Sequence, residues 1–301
     1  MDSSLTEYLQ TAILAVIQGA AELLPVSSSA HVIFAEHLMG IDPSGPKATF
    51  LLVMLHTGTM GAVLVYFWPR WRRLLTFGTT AAASGVVPAR QFIALVVLAT
   101  AVTGVVGLGL KVLIEKVIME RLLHHETGEV ESLFRNLWLV GASLFAVGVL
   151  ILAAGLYEGS AASTKLTSRQ SIAVGLVQGL CLPFRGFSRS GATISTALFC
   201  GVSRSLAEDF SFALAVVLTP PVIVLELRRL VKSPDWSRGD AVQMLGPGVV
   251  GMVLSFAAGL VALRLLSAAL ERGRWRYFGG YCLVAAFVLF AYAVATSGRP
   301  A

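Results

Sequence analysis

The stretch QGAAELLPVSSSAH, Gln18 to His31, interrupts the first long apolar run of the chain with a carboxylate, a proline, three serines and an imidazole. Hydrocarbon offers no partners for such groups, and an ionisable side chain held within a membrane segment marks a site or a pathway by default. Pro25 removes a backbone donor and disfavours helix at the residue before it, so the run should break there. Before the break Gln18 and Glu22 are four apart and share a helix face; after it Ser28 and His31 are three apart and share another. A helical hairpin turning at Pro25 would aim an amide, a carboxylate, a hydroxyl and an imidazole at one point.

The rest of the chain supplies the membrane around that hairpin. Of 301 residues 56% are hydrophobic and 13% charged, and the mean hydropathy is +0.78, well beyond a soluble domain. Apolar runs at roughly 49 to 68, 91 to 114, 136 to 157, 205 to 227, 244 to 268 and 276 to 296 predict about six transmembrane helices. Alternating strand patterns are absent, so the expected class is an all-α polytopic membrane protein, one integral domain over 1–301. The formal charge of +6 does not point to nucleic acid. Arg70, Arg72, Arg73, Arg228 and Arg229 read instead as span ends facing headgroups. Cys181, Cys200 and Cys282 sit in apolar segments without ligand spacing and read as packing residues. The opening MDSSLTEYLQ lacks the basic region of a signal peptide, so the first apolar run is expected to be retained. The segment from about 115 to 135, with His124 and His125, reads as a solvated amphipathic helix, because adjacent histidines on a helix point apart. Thr79 to Arg90 reads as a connector.

Two apolar regions, roughly 5 to 39 and 170 to 201, are each broken by proline and serine and resemble one another: VIQGAAELLPVSSSAH in the first, LVQGLCLPFRGFSRSGAT in the second. Each precedes about three spans, and an odd number of crossings turns the second copy over. The expectation is an inverted-topology repeat, approximately 1–160 and 165–301, with two re-entrant helical hairpins meeting near the midplane. The competing reading is a pair of spans merely kinked at Pro25 and Pro183. Halves shorter than about 17 residues argue for the hairpins.

The second hairpin carries SRSGAT, Ser188 to Thr193. Arginine suits bidentate recognition of phosphate, and hydroxyls with backbone N–H groups at a helix N-terminus add donors and a favourable dipole. Gly186 and Gly191 allow close approach of the backbone to an anion. A carboxylate beside a phosphate must hold a cation or a proton, and Mg²⁺ commonly takes one or two carboxylates plus phosphate oxygens. Glu22 is therefore a candidate for metal binding or acid–base work. Each residue also has a plain structural reading: Glu22 paired with Arg189, the serines satisfying freed carbonyls, His31 and His56 as packing or supporting residues. Glu208 and Asp209 also need explanation as ionisable groups within a span.

The two quoted stretches resemble the signature motifs of the undecaprenyl-diphosphate phosphatase family of the bacitracin-resistance type. The first reads approximately Glu/Gln-Gly-x-x-Glu-x-x-Pro-Val/Ile-Ser-Ser-Ser/Thr-Gly/Ala-His, the second Pro-Gly-x-Ser-Arg-Ser-Gly-x-Thr. The resemblance implies an enzyme of the bacterial cytoplasmic (inner) membrane that hydrolyses a C55 polyprenyl diphosphate to the monophosphate and inorganic phosphate. That activity recycles the carrier lipid of peptidoglycan synthesis and confers bacitracin resistance. The site is expected to face the outer side, and a second copy of the chain and membrane lipids are among the partners expected. Carried over position by position, Glu22, Ser28, His31 and Arg189 are the catalytic candidates. Gln18, Ser27, Ser188, Arg189, Ser190 and Thr193 are expected to bind substrate, and Glu22 to hold a divalent cation, Mg²⁺ or Ca²⁺. The nucleophile is left open between His31, Ser28 and water. Two departures stand out: Gln18 occupies a position where other members carry Glu, and Phe184 and Arg185 separate Pro183 from Gly186. Arg185 is expected to add a second phosphate contact, the alternative being a position facing headgroups. The rival class is a secondary transporter or polyprenyl-phosphate flippase, since broken helices in inverted repeats are a transporter architecture.

Overall fold

The computed structural model describes residues 3–42, 45–76, 87–114, 136–157, 163–233 and 236–296. The segment 115–135 and most of the connector from Thr79 to Arg90 lie outside the described residues. Among the described residues there are ten helices: α1 (Ser3–Leu23), α2 (Ser28–Met39), α3 (Pro46–Thr76), α4 (Ala89–Leu113), α5 (Leu137–Leu156), α6 (Ser168–Cys181), α7 (Arg189–Phe199), α8 (Arg204–Lys232), α9 (Arg238–Glu271) and α10 (Trp275–Thr296). The only extended pairing there is an isolated bridge between Ser163 and Val202. Six of these helices, α3, α4, α5, α8, α9 and α10, are long and apolar enough to cross a membrane.

Helix ends differ from the sequence reading. α3 and α8 continue through Arg70, Arg72 and Arg73 and through Arg228 and Arg229, beyond the ends of the apolar runs at roughly 68 and 227. Apolar runs mark only the hydrocarbon depth, whereas long basic side chains let a helix continue past it. The expectation that each half of a broken region falls short of a span holds for α2, α6 and α7, with 12, 14 and 11 residues, and fails for α1 with 21. At 1.5 Å per residue α1 is about 31 Å long. It is nevertheless absent from the six apolar helices, because Gln10, Gln18 and Glu22 dilute it.

α2 folds back on α1: Leu14 and Ala15 pack with Val32 and Ala35, and with Leu51 and Leu55 of α3. The Gln-Gly pair common to both broken regions has a packing role in each. A Cβ on Gly19 would fall 2.5 Å from the Ser255 carbonyl oxygen of α9, and one on Gly179 would fall 2.6 Å from Val106 Cβ of α4. Each hairpin's first helix therefore lies flush on a span from the other half of the chain. The correspondence extends to some neighbours, since α1 packs on α9 as α6 packs on α4, and α5 pairs with α10, but α3 packs chiefly on α9 without an equal contact between α8 and α4.

Glu208 and Asp209 are buried where α3, α8 and α9 meet. Arg70 Nη1 donates to Glu208 at 3.0 Å and Asp209 at 3.4 Å, Ser267 Oγ donates to Glu208 at 2.5 Å, and Tyr66 Oη donates to Ser267 at 2.9 Å. The guanidinium also lies over the rings of Tyr66 and Phe67, 5.7 and 5.4 Å from their centroids. Arg70 is thus turned inward as the counter-ion of two carboxylates, correcting its reading as a headgroup contact. Arg70→Met, which leaves both carboxylates without it, should lower stability by about 3 kcal/mol, read as a fall in unfolding temperature in detergent. Gly19→Ala should destabilise by about 1–3 kcal/mol through overpacking, while Gly280→Ala, with nothing within 4 Å of the new methyl, should leave that temperature unchanged or raised.

Candidate active site

The tips of the two hairpins touch. Ser27 caps α2 with its side chain on the Ala30 N–H and is the only described non-glycine residue with positive φ, 68°. Such a conformation costs on the order of 1 kcal/mol, and the contacts at the tip hold it. Ser29 Oγ accepts the Gly186 N–H at 3.0 Å, and Ser190 Oγ donates to the Leu24 carbonyl at 3.3 Å. Pro25 ends α1 and frees backbone groups, and its own carbonyl accepts Cys282 Sγ of α10 at 3.4 Å.

Glu22 is the hub. Its Oε2 accepts Ser28 Oγ at 2.5 Å and Gln18 Nε2 at 3.2 Å, and its Oε1 accepts Arg189 Nη2 at 3.3 Å. Four of the residues expected at the site, Gln18, Glu22, Ser28 and Arg189, are therefore brought into one cluster from α1, α2 and α7. The other terminal nitrogen of Arg189, Nη1, is buried without a hydrogen-bond partner. A buried guanidinium N–H without an acceptor is costly unless a ligand supplies one.

The remaining candidates are placed differently. Ser188 caps α7, accepting the Gly191 N–H, and Thr193 Oγ1 bonds the Arg189 carbonyl at 2.8 Å and Ser211 Oγ at 2.6 Å. With Ser190 on the Leu24 carbonyl, the three second-motif hydroxyls are buried and committed to holding the hairpin. His31 faces α10 rather than Glu22. Its Nδ1–H donates to the Ser27 carbonyl at 2.7 Å, so in the neutral ring Nε2 carries the lone pair and accepts Tyr281 Oη at 2.7 Å. The two rings stack at 5.6 Å. Tyr281 and His56 were not singled out as site residues by the sequence. His56 Nε2 stands 3.3 Å from Gln18 Nε2 and 3.8 Å from Glu22 Oε2. The signal that could have found it is a histidine inside a span, with no counterpart in either motif.

A cavity of about 190 Å³ adjoins the cluster, lined by Gln18, Ser28, His56 and Arg185 on its polar side and by Val222 and Ile223 of α8 among its apolar walls. Glu36 and Glu226 also reach it. Among the described residues no three His, Cys, Asp or Glu side chains group as a metal site. With three donors already on Glu22, the cluster fits a cation only as a one-carboxylate anchor completed by phosphate oxygens, a mode that suits Mg²⁺.

A family model described as "Bacitracin resistance protein BacA" matches residues 11–288. The chain is 53% identical over 292 residues to "Undecaprenyl-diphosphatase 2" of Acinetobacter baylyi, covering 95% of this chain and 98% of that one. It is 33% identical over 289 residues to the "Undecaprenyl-diphosphatase" of Desulfosudis oleivorans, covering 92% and 96%. It is 34% identical over 280 residues to "Undecaprenyl-diphosphatase 1" of Burkholderia pseudomallei strain K96243, covering 90% and 92%. With both signature motifs at the touching hairpin tips and the family model spanning nearly the whole chain, the chain belongs to the bacitracin resistance protein BacA family.

Proposed function

We infer that this protein is a membrane-embedded undecaprenyl-diphosphatase, releasing inorganic phosphate from the lipid diphosphate and returning the monophosphate carrier. The observation that carries this reading is the buried, unpartnered Nη1 of Arg189 beside the Ser28–Glu22 pair. An anion receptor there adjoins a hydroxyl held on a carboxylate. A transporter has no need of a nucleophile resting on a base, so the transport reading is not favoured.

Chemistry follows from that geometry. Arg189 takes the terminal phosphoryl group, and Arg185, on the wall of the adjoining cavity, takes the lipid-side phosphate. Ser28 Oγ attacks the terminal phosphorus and passes its proton to Glu22 Oε2 as the new O–P bond forms. The bridging P–O bond breaks, and the lipid monophosphate leaves with the electron pair. Water then hydrolyses phosphoserine: its oxygen bonds the phosphorus, the Ser28 Oγ–P bond breaks, Glu22 returns the proton to Ser28 Oγ, and phosphate leaves carrying both protons of the water. Ser28 is the nucleophile in this account because its hydroxyl already rests on a base, whereas the lone pair of His31 is taken by Tyr281 Oη. Bound at Glu22, Mg²⁺ or Ca²⁺ would neutralise charge on the phosphate oxygens.

The reading extends to topology and placement. The matched helix pairings and the shared Gln-Gly contacts support two inverted copies, roughly 1–160 and 165–301, with α1–α2 and α6–α7 as re-entrant hairpins. Residence in the bacterial cytoplasmic membrane with the site toward its outer face rests on family membership alone.

Purified protein in detergent, given undecaprenyl diphosphate with and without chelator, tests the proposal by phosphate release. Arg189→Ala, Glu22→Ala and Ser28→Ala should each lower kcat by at least about 100-fold, and near-normal turnover in any of them removes that residue from the chemistry. A covalent phosphoenzyme on Ser28 should be trapped by acid quench during turnover and detected by mass spectrometry; its absence would leave Ser28 without the nucleophile's role.

A further inference from the structure

His56 lies on α3, outside both motifs, yet its ring is tied to the centre of the site. Its Nδ1 is 2.9 Å from the Leu52 carbonyl oxygen, which can only accept, so in the neutral ring the proton sits on Nδ1 and the lone pair on Nε2. That lone pair meets Gln18 Nε2 at 3.3 Å, and the same amide nitrogen stands 3.2 Å from Glu22 Oε2. Gln18 is 1% exposed, so its amide rests mainly on these protein partners.

A primary amide can turn either end toward a neighbour, and here the neighbour on each side is an acceptor. His56 and Glu22 together therefore specify the nitrogen end, which gives both N–H groups a partner. Were His56 unable to accept, one N–H would be stranded in a buried place, and the amide would gain by turning away. Glu22 would then lose one of the donors that fix its Oε2 against Ser28. We infer that His56 is a positioning residue for this site, acting through Gln18 to hold the Glu22 carboxylate in register with Ser28. In this chain Gln18 serves as a hydrogen-bond clamp. The inference rests on the phosphatase reading above.

The test uses the full chain in detergent. His56→Leu, which removes the acceptor, should lower kcat about tenfold, the scale of one lost hydrogen bond, with KM within about twofold of the wild type. His56→Gln, whose side-chain oxygen accepts, should restore kcat to within about threefold. A His56→Leu protein that turns over at the wild-type rate, or a His56→Gln protein as slow as His56→Leu, overturns the inference. A second arm does not depend on turnover: in protein carrying ¹⁵N-histidine, the His56 Nε2 resonance should move in Gln18→Leu, and an unmoved resonance overturns the contact itself. A wild-type protein that releases no phosphate counts against the phosphatase reading and leaves this second arm to decide for His56.

Discussion

The pairing of Glu22 with Arg189 joins two hairpins that lie 167 residues apart in the chain, and the rest of the site is arranged around it. A carboxylate removed from water inside an apolar bundle is tolerable only when donors surround it, and leaving it without its partner costs several kcal/mol. Glu22 meets that condition with a guanidinium from α7, a hydroxyl from α2 and an amide from its own helix. Because those donors come from three helices, the carboxylate fixes where the hairpin tips stand relative to one another. The same constraint recurs in the Arg70 network, where one guanidinium serves two carboxylates across α3 and α8.

Broken helices leave backbone groups without partners, and in lipid each must be satisfied within the protein. The serines of both motifs meet much of this need. Ser27 caps α2, Ser188 caps α7, Ser29 takes the Gly186 N–H and Ser190 bonds the Leu24 carbonyl. A run of serines that suggests a phosphate cradle therefore divides its labour: Ser28 points at Glu22, while its neighbours hold the turn that aims it. Rigid support of this kind matters for phosphoryl transfer, where catalysis is largely positioning and electrostatics.

Much of this was legible in the residues themselves. The length of apolar runs announced six spans, and Pro25 and Pro183 announced the breaks, because a missing N–H acts locally. The four-residue spacing of Gln18 and Glu22 put them on one face, as observed. Other readings failed where a distant partner decided. Arg70 lies near the end of an apolar run, as headgroup arginines do, and only the arrival of α8 shows that it turns inward. Ser28 and His31 share a helix spacing, yet one meets Glu22 and the other Tyr281, because α10 packs beside α2 with a phenol at the right height. α1 is longer than a half-span because nothing in its sequence stops the helix before Pro25.

Sequence alone determined the solvent, the helical class and the chemistry available: an apolar chain must close its backbone bonds in helices, and the motif residues limit the site to carboxylate, hydroxyl, imidazole and guanidinium. Tertiary structure decided which of these groups meet. Local spacing fixes the face of a helix on which a side chain emerges, but the partner on that face is set by how separate helices pack. That is why QGAAELLPVSSSAH could disclose a polar break in a membrane helix, while Arg189, His56 and Tyr281, brought from other helices, gave each of its side chains a task.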